Sequence, residues 1–95
     1  MKVLLLGMNH RTAPVEIRER FAVTDLRMLL RKLVDRPEFD EAVLLSTCNR
    51  VEVIITTETP DAAQDALYEF FARDLADGEL PASLSLQDMT YLRHG

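Results

Sequence analysis

Short apolar runs separated by polar turns predict several β-strands in this chain. Lys2–Leu6 is an apolar run closed by Gly7, which predicts a buried strand. Glu41–Thr47 and Val51–Thr57 are rich in Val, Leu, Ile and Thr, and they predict two further strands. Met89–His94 has the pattern of a final strand.

Apolar residues at helical spacing fill the segment between the first two predicted strands. Pro14 suits a first helical turn, and Val15–Phe21 supplies about two turns. Thr24 is a predicted N-cap for a longer helix that Pro37 stops. Its apolar stripe is Leu26, Leu29, Leu30, Leu33 and Val34.

A second strong helix is predicted after the third strand. Thr59 is a predicted N-cap, Pro60 suits the first helical position, and Asp61 lies near the positive end of the helix dipole. Gly78 is expected to end the helix, and Leu80–Asp88 is expected to be a loop or short turn. The predicted apolar face is Ala63, Ala66, Leu67, Phe70 and Phe71.

The predicted order β-α-β-β-α-β indicates an α+β, ferredoxin-like fold. Such a fold has a four-stranded antiparallel sheet with the helices on one face. The 95 residues, of which 47% are hydrophobic, suffice for a single domain with one modest core. The fold hosts many functions, so it does not identify one.

Composition narrows the classes of partner. Sixteen acidic residues against eleven Lys and Arg give a net charge of −5, which is a poor match for nucleic acid over the whole surface but leaves a local basic patch open. We expect no DNA partner. One cysteine cannot form an intramolecular disulfide, which indicates a reduced, cytoplasmic protein. No apolar run has the length of a membrane span.

Several kinds of site lack their sequence signature. His10 and His94 belong to no group with metal-ligand spacing, so no metal is expected. The three glycines, Gly7, Gly78 and Gly95, do not form the G-x-G-x-x-G pattern of a dinucleotide phosphate loop. No Ser/His/Asp nucleophile signature is present either.

The predicted hairpin turn carries the strongest candidate chemistry. Cys48, Asn49 and Arg50 separate the two middle strands, which is hairpin length. Arg50 can favour the Cys48 thiolate and bind a carboxylate with its planar fork. Thr47 and Asn49 can orient a substrate. A lone cysteine, however, is more often buried and structural than reactive. Residue chemistry alone therefore favours a structural Cys48 over a nucleophilic one.

The polar stretch Met8–Pro14 is a second candidate, since it follows a central strand and is expected to be irregular. If the first two strands are parallel neighbours, Asn9–Thr12 and the turn Cys48–Arg50 meet at one end of the sheet. His10 in this stretch is more often an ordinary surface residue than a functional one.

Two motifs resemble those of a known family. Gly7-Met8-Asn9-His10-Arg11-Thr12-Ala13-Pro14-Val15, followed by Arg18-Glu19, resembles the N-terminal signature of glutamyl-tRNA reductase. Leu45-Ser46-Thr47-Cys48-Asn49-Arg50-Val51-Glu52 resembles its active-site signature. Both occur in the family's order and spacing, and Met89–Gly95 resembles the last strand of its catalytic domain.

The resemblance implies a reaction and roles for the turn residues. The family reduces glutamyl-tRNA with NADPH to glutamate-1-semialdehyde, on the route to 5-aminolevulinate, heme and other tetrapyrroles. Cys48 matches the nucleophile that forms a glutamyl thioester. Thr47, Asn49 and Arg50 match the substrate-binding stretch, where Arg50 would hold the carboxylate of glutamate.

The resemblance also implies what residues 1–95 lack. They match the N-terminal catalytic, glutamyl-tRNA-binding domain, and the NADPH-binding domain and the helical C-terminal domain that forms a homodimer are absent. A functional histidine of the family would lie just past Gly95, and His94 does not match it. These residues alone are not expected to complete the reaction.

The sequence leaves two other classes of function open. A small ferredoxin-like regulatory or ligand-binding module would have an unreactive, structural Cys48. An RNA-binding module of the same topology would expose aromatic residues on its central strands, but those strands are aliphatic here.

Overall fold

The computed structural model describes residues 1–21, 25–47, 49–75 and 85–95. Its strands are β1 (Lys2–Asn9), β2 (Glu41–Ser46), β3 (Arg50–Thr57) and β4 (Tyr91–His94). Its helices are α1 (Val15–Arg18), α2 (Leu26–Val34), α3 (Pro60–Phe70) and α4 (Leu86–Met89). A 3-10 turn over Glu19–Phe21 extends α1, and a π-helical turn over Phe71–Leu75 extends α3.

The four strands form one sheet in the order β2-β3-β1-β4, and every neighbouring pair is antiparallel. The predicted ferredoxin-like fold is therefore confirmed. Strands β1 and β2 are both antiparallel to β3, so they run parallel to each other. The expectation that they are neighbours is wrong, because β3 lies between them.

Strand β1 is longer than its apolar run predicts. Met8 and Asn9 continue the ladder by pairing with Val51 and Arg50 of β3. The Met8 side chain is fully buried, so the irregular segment starts after Asn9 and not at Met8. Cross-strand pairing carries the strand past Gly7, which lies inside β1.

Alternation along the two central strands divides the sheet into two faces. One face carries buried apolar residues and packs against α2 and α3. The strand residues of this core are Leu4, Leu6, Met8, Val51, Val53 and Ile55. The other face, which we call the open face, carries Gly7, Asn9, Arg50, Glu52 and Tyr91.

The predicted apolar faces of the two long helices are buried to different degrees. Every residue of the predicted apolar face of α3 and its extension is buried. In α2 the central residues Leu29 and Leu33 are buried, whereas Leu26 and Val34 are 49% and 57% exposed. Helix α2 contacts the edge strand β2, so the ends of its stripe extend past the core.

The helix starts differ in detail from the predicted caps. The N-cap of α2 is Asp25, whose carboxylate accepts a hydrogen bond of 3.1 Å from the Met28 backbone N–H. Thr24, the predicted cap, lies outside the described residues. Thr59 precedes α3 as predicted, but its side chain makes no capping hydrogen bond. The predicted end at Gly78 and the first part of the predicted Leu80–Asp88 loop also lie outside the described residues.

Gly7 occupies a crowded position in the middle of the open face. It lies opposite Glu52 on one side and Tyr91 on the other. A Cβ atom at Gly7 would lie 2.7 Å from the Tyr91 ring and 2.8 Å from Glu52 Cγ. The absence of a side chain therefore lets Tyr91 and Glu52 approach each other across β1.

We predict that Gly7→Ala lowers the free energy of unfolding by about 1–3 kcal/mol, because the new methyl group overpacks this site. Gly95→Ala is the matched control, since its Cβ would meet only Val3 Cβ at an ordinary 3.6 Å. Urea unfolding of both variants measures the difference. Equal stabilities of the two variants would contradict this account of Gly7.

Candidate functional site

The hairpin turn between β2 and β3 is organised by Thr47. Its backbone N–H donates to the Arg50 carbonyl at 2.8 Å. Its hydroxyl accepts hydrogen bonds of 3.2 Å from the backbone N–H groups of Asn49 and Arg50. Thr47, Asn49 and Arg50 are all exposed. Cys48, the predicted nucleophile, lies outside the described residues.

The turn after β1 is equally well defined. The Asn9 side-chain oxygen accepts from the backbone N–H groups of Arg11 and Thr12 at 2.9 and 3.1 Å. The Thr12 hydroxyl accepts from the Asn9 backbone N–H at 2.9 Å. This reciprocal pairing holds the turn by local side-chain bonds. Beyond Asn9 the predicted irregular segment is therefore a turn without helix or strand, fixed by these hydrogen bonds.

These two turns meet at one end of the sheet, as predicted for Asn9 and Arg50, which pair directly in the β1–β3 register. The physical cause differs from the expected one. Strand β3 begins where β2 ends and runs antiparallel to β1, so its first residue lies beside the last residue of β1.

A cleft of about 350 Å³ opens on the helix side of this junction. Buried Met8, Phe21 and Val51 supply apolar lining, and the positive charges of Arg18 and Arg50 outnumber the one negative charge among the described lining residues. The Arg18 Nε donates to the Ala13 carbonyl at 3.2 Å. The remaining lining residues of this helix-side cleft are Val15, Glu19, Ser46 and Thr47. Such a cleft suits a small ligand that has an apolar part and an anionic end.

A second, shallower cleft of about 450 Å³ lies on the open face. Arg50 lines both clefts, so this one residue borders the two sides of the sheet end. The lining residues of this open-face cleft are Leu5, Asn9, Arg11, Thr12, Arg50, Glu52, Tyr91 and Arg93.

Glu52 and Tyr91 form the polar floor of the open-face cleft. The Tyr91 hydroxyl donates to Glu52 Oε2 at 2.6 Å, and only 9% of Glu52 is exposed. Burial, followed by the hydrogen bond and charge of Glu52, raises the pKa of Tyr91 to about 12. The positive charge of Arg50 and a hydrogen bond with the Asn9 side chain act in the opposite direction, lowering the pKa of Tyr91.

The structure brings Thr47, Asn49 and Arg50 together but leaves the two histidines outside the site. His10 is exposed and lines neither cleft. His94 pairs with Leu4, several residues from the Arg50 end of the sheet.

The sequence pattern did not predict Tyr91, Glu52 and Arg18 as site residues. Strand alternation from Arg50 could have placed Glu52 on the same face. Tyr91 reaches the site only through pairing of β4 with β1, for which the sequence offers no local signal.

Within the described ranges, no three residues among His, Cys, Asp and Glu are grouped so as to hold a metal ion. None of the helices described here combines the length and apolar character needed to cross a bilayer.

Comparison with known proteins gives one consistent family. The family profile "Glutamyl-tRNAGlu reductase, N-terminal domain" matches residues 6–94. The glutamyl-tRNA reductase of Desulfatibacillum aliphaticivorans is 48% identical over 75 residues, covering 77% of this chain and 17% of the relative. That of Geotalea uraniireducens is 39% identical over 97 residues, covering 100% of this chain and 21% of the relative.

A solved structure shows the same likeness. The glutamyl-tRNA reductase from Methanopyrus kandleri superposes with a TM-score of 0.64 and 26% identity, covering 98% of this chain and 19% of that one. The chain thus spans about a fifth of the length of these relatives.

We predict that the stability of the protein falls as the pH rises from about 10 to about 12. Tyr91 keeps its proton in the folded state up to a pKa of about 12, whereas the unfolded side chain loses it near its usual value of 10.0. The stabilisation is complete below pH 10 and is lost as the pH rises through the folded pKa. Measured by urea unfolding across this pH range, the free energy of unfolding should fall more steeply for the unmodified chain than for Tyr91→Phe. Parallel curves for the two proteins would contradict the assignment.

Proposed function

The chain belongs to the glutamyl-tRNA reductase N-terminal domain family, and we propose that it is the part of such an enzyme that accepts the glutamyl group, on Cys48. The observation that carries this proposal is the turn organised by Thr47. That turn sets Arg50, two residues from the cysteine, at the junction of two clefts.

The proposed step is transfer of an acyl group to sulfur. The Cys48 thiolate attacks the carbonyl carbon of the ester in glutamyl-tRNA, and a thioester carbon–sulfur bond forms. The ester bond to the ribose oxygen breaks, and that oxygen takes a proton from water, so the tRNA leaves with its hydroxyl restored. A thioester is a suitable intermediate because it divides one difficult acyl reduction into two easier steps.

Arg50 is the proposed determinant of glutamate selection. Its planar guanidinium binds a carboxylate with two parallel hydrogen bonds. The neutral amide of a glutamine substrate cannot accept both of them. The helix-side cleft offers an apolar lining for the methylene groups of glutamate next to this charge. Thr47 and Asn49 are proposed to orient the substrate at the turn.

The reducing step is proposed to need parts of the relatives that this chain does not span. The family resemblance implies NADPH as the source of hydride, but the three glycines here do not form a loop that fits its phosphates. On this proposal the chain alone stops at the thioester. We place the whole enzyme in cytoplasmic tetrapyrrole synthesis, as a homodimer formed through its other domains.

Incubation with glutamyl-tRNA is expected to add one glutamyl group to the chain. The chain contains one cysteine, so an adduct that hydroxylamine removes reports on Cys48 alone. Intact-mass spectrometry measures the adduct, and Cys48→Ser is expected to form none. If iodoacetamide alkylates Cys48 only after denaturation, the cysteine is structural and the proposal fails. Fast native alkylation without acylation would also contradict it.

Arg50→Ala is expected to slow native alkylation of Cys48 near neutral pH, because loss of a nearby positive charge lowers the thiolate fraction. It should also reduce the preference for glutamyl over glutaminyl donors by roughly tenfold or more, since a charged hydrogen-bond partner is lost. Arg50→Lys keeps the charge without the fork, so it should restore alkylation but not the full preference. Arg31→Ala, an exposed change in α2, is the matched control. Equal preferences in the Arg50 and Arg31 variants would contradict the assigned role.

A further inference from the structure

The lining of the open-face cleft is positively charged, opposite in sign to the chain as a whole. Among the described residues, Arg11, Arg50 and Arg93 line the cleft against a single carboxylate, that of Glu52. The whole chain, by contrast, has a net charge of −5. The three guanidinium groups come from the turn after β1, the start of β3 and the middle of β4, and the tertiary fold brings them to one cleft.

Glu52 does not cancel these arginines by direct pairing. Its carboxylate accepts the Tyr91 hydroxyl at 2.6 Å and is nearly buried. No ion pair joins it to Arg11, Arg50 or Arg93 in the part of the chain that the structure describes. The guanidinium groups therefore remain available to an anion that approaches from solvent.

Contacts restrain the side chain of Arg93 and the backbone of Arg11. The Arg93 Nη1 donates to the Leu92 carbonyl at 3.0 Å, and its Cζ lies 5.4 Å from the centre of the Tyr91 ring. The Arg11 backbone is fixed by its hydrogen bond to the Asn9 side chain. The restraint on the Arg93 side chain lowers the conformational entropy lost when a ligand binds there.

We propose that Arg11 and Arg93 bind backbone phosphates of the RNA that delivers the glutamyl group. This inference rests on the proposed function, which assigns Arg50 to the substrate carboxylate and leaves the other two arginines for phosphates. A shallow cleft of about 450 Å³ with separated guanidinium groups suits an extended polyanion better than one enclosed anion.

The contacts are proposed to be independent of base sequence. Among the described residues, Tyr91 is the one aromatic that lines the cleft; its ring lies close to Gly7, and Arg93 lies over it. Stacking on bases therefore does not explain the cleft, and guanidinium–phosphate pairs hold the strand without reading it.

Fluorescence anisotropy of a labelled single-stranded RNA ending in CCA tests this proposal, with the full chain over about 25–200 mM salt. The double variant Arg11→Ala/Arg93→Ala should lose roughly two- to fivefold in affinity for each arginine. The slope of log affinity against log salt should become shallower by about 0.7 for each arginine. Arg27→Ala/Arg31→Ala removes two exposed charges from α2 on the opposite face, and it should match the unmodified chain.

Lysine replacements separate charge from packing. Arg11→Lys/Arg93→Lys should keep the salt slope of the unmodified chain, because each side chain still neutralises one phosphate. No salt-dependent binding by the unmodified chain, or the same slope in both alanine double variants, would overturn the proposal.

A second experiment distinguishes failure of the proposed function from failure of the phosphate site. It acylates Cys48 with a small glutamyl thioester in the absence of RNA. The alanine variant at Arg11 and Arg93 should be acylated as fast as the unmodified chain. If the unmodified chain binds RNA but is not acylated, the thioester role alone is rejected. If it is acylated but does not bind RNA, the phosphate site alone is rejected.

Discussion

The antiparallel ladder between β1 and β3 is the constraint on which the rest of the structure depends. It runs from Lys2 opposite Thr57 to Asn9 opposite Arg50, and it forms the centre of the sheet. Because this register is continuous, the end of β1 and the start of β3 lie side by side. The two turns that carry the candidate chemistry are therefore neighbours, although some forty residues of sequence separate them.

The same ladder separates the core from the site. Successive side chains of a strand point to opposite faces, so Met8 and Val51 enter the core while Asn9 and Arg50 remain outside it. A shift of register by one residue would exchange these sets and bury the arginine. Burial of the apolar residues thus stabilises the register that also positions the polar ones.

Gly7 determines what the open face can hold. Without a side chain there, Tyr91 from β4 reaches across β1 to Glu52 of β3, and its hydroxyl donates a hydrogen bond to the carboxylate. This contact engages the one acidic group among three arginines. Because three arginines outnumber this carboxylate, the described lining of the open-face cleft is positive in an acidic protein, an arrangement that net charge alone does not reveal.

By itself, the sequence determined the strands, the long helices, the ferredoxin-like order and the turn that carries Thr47, Asn49 and Arg50. These features follow from periodicity, proline positions and turn length, which act over a few neighbouring residues. The resemblance of two motifs added the family. Only the tertiary structure decided that β1 continues to Asn9, that β3 lies between β1 and β2, and that Tyr91 and Arg93 join the site. Those outcomes depend on pairing between strands far apart in the chain, where the free energy comes from burial and cross-strand hydrogen bonds that no local pattern specifies.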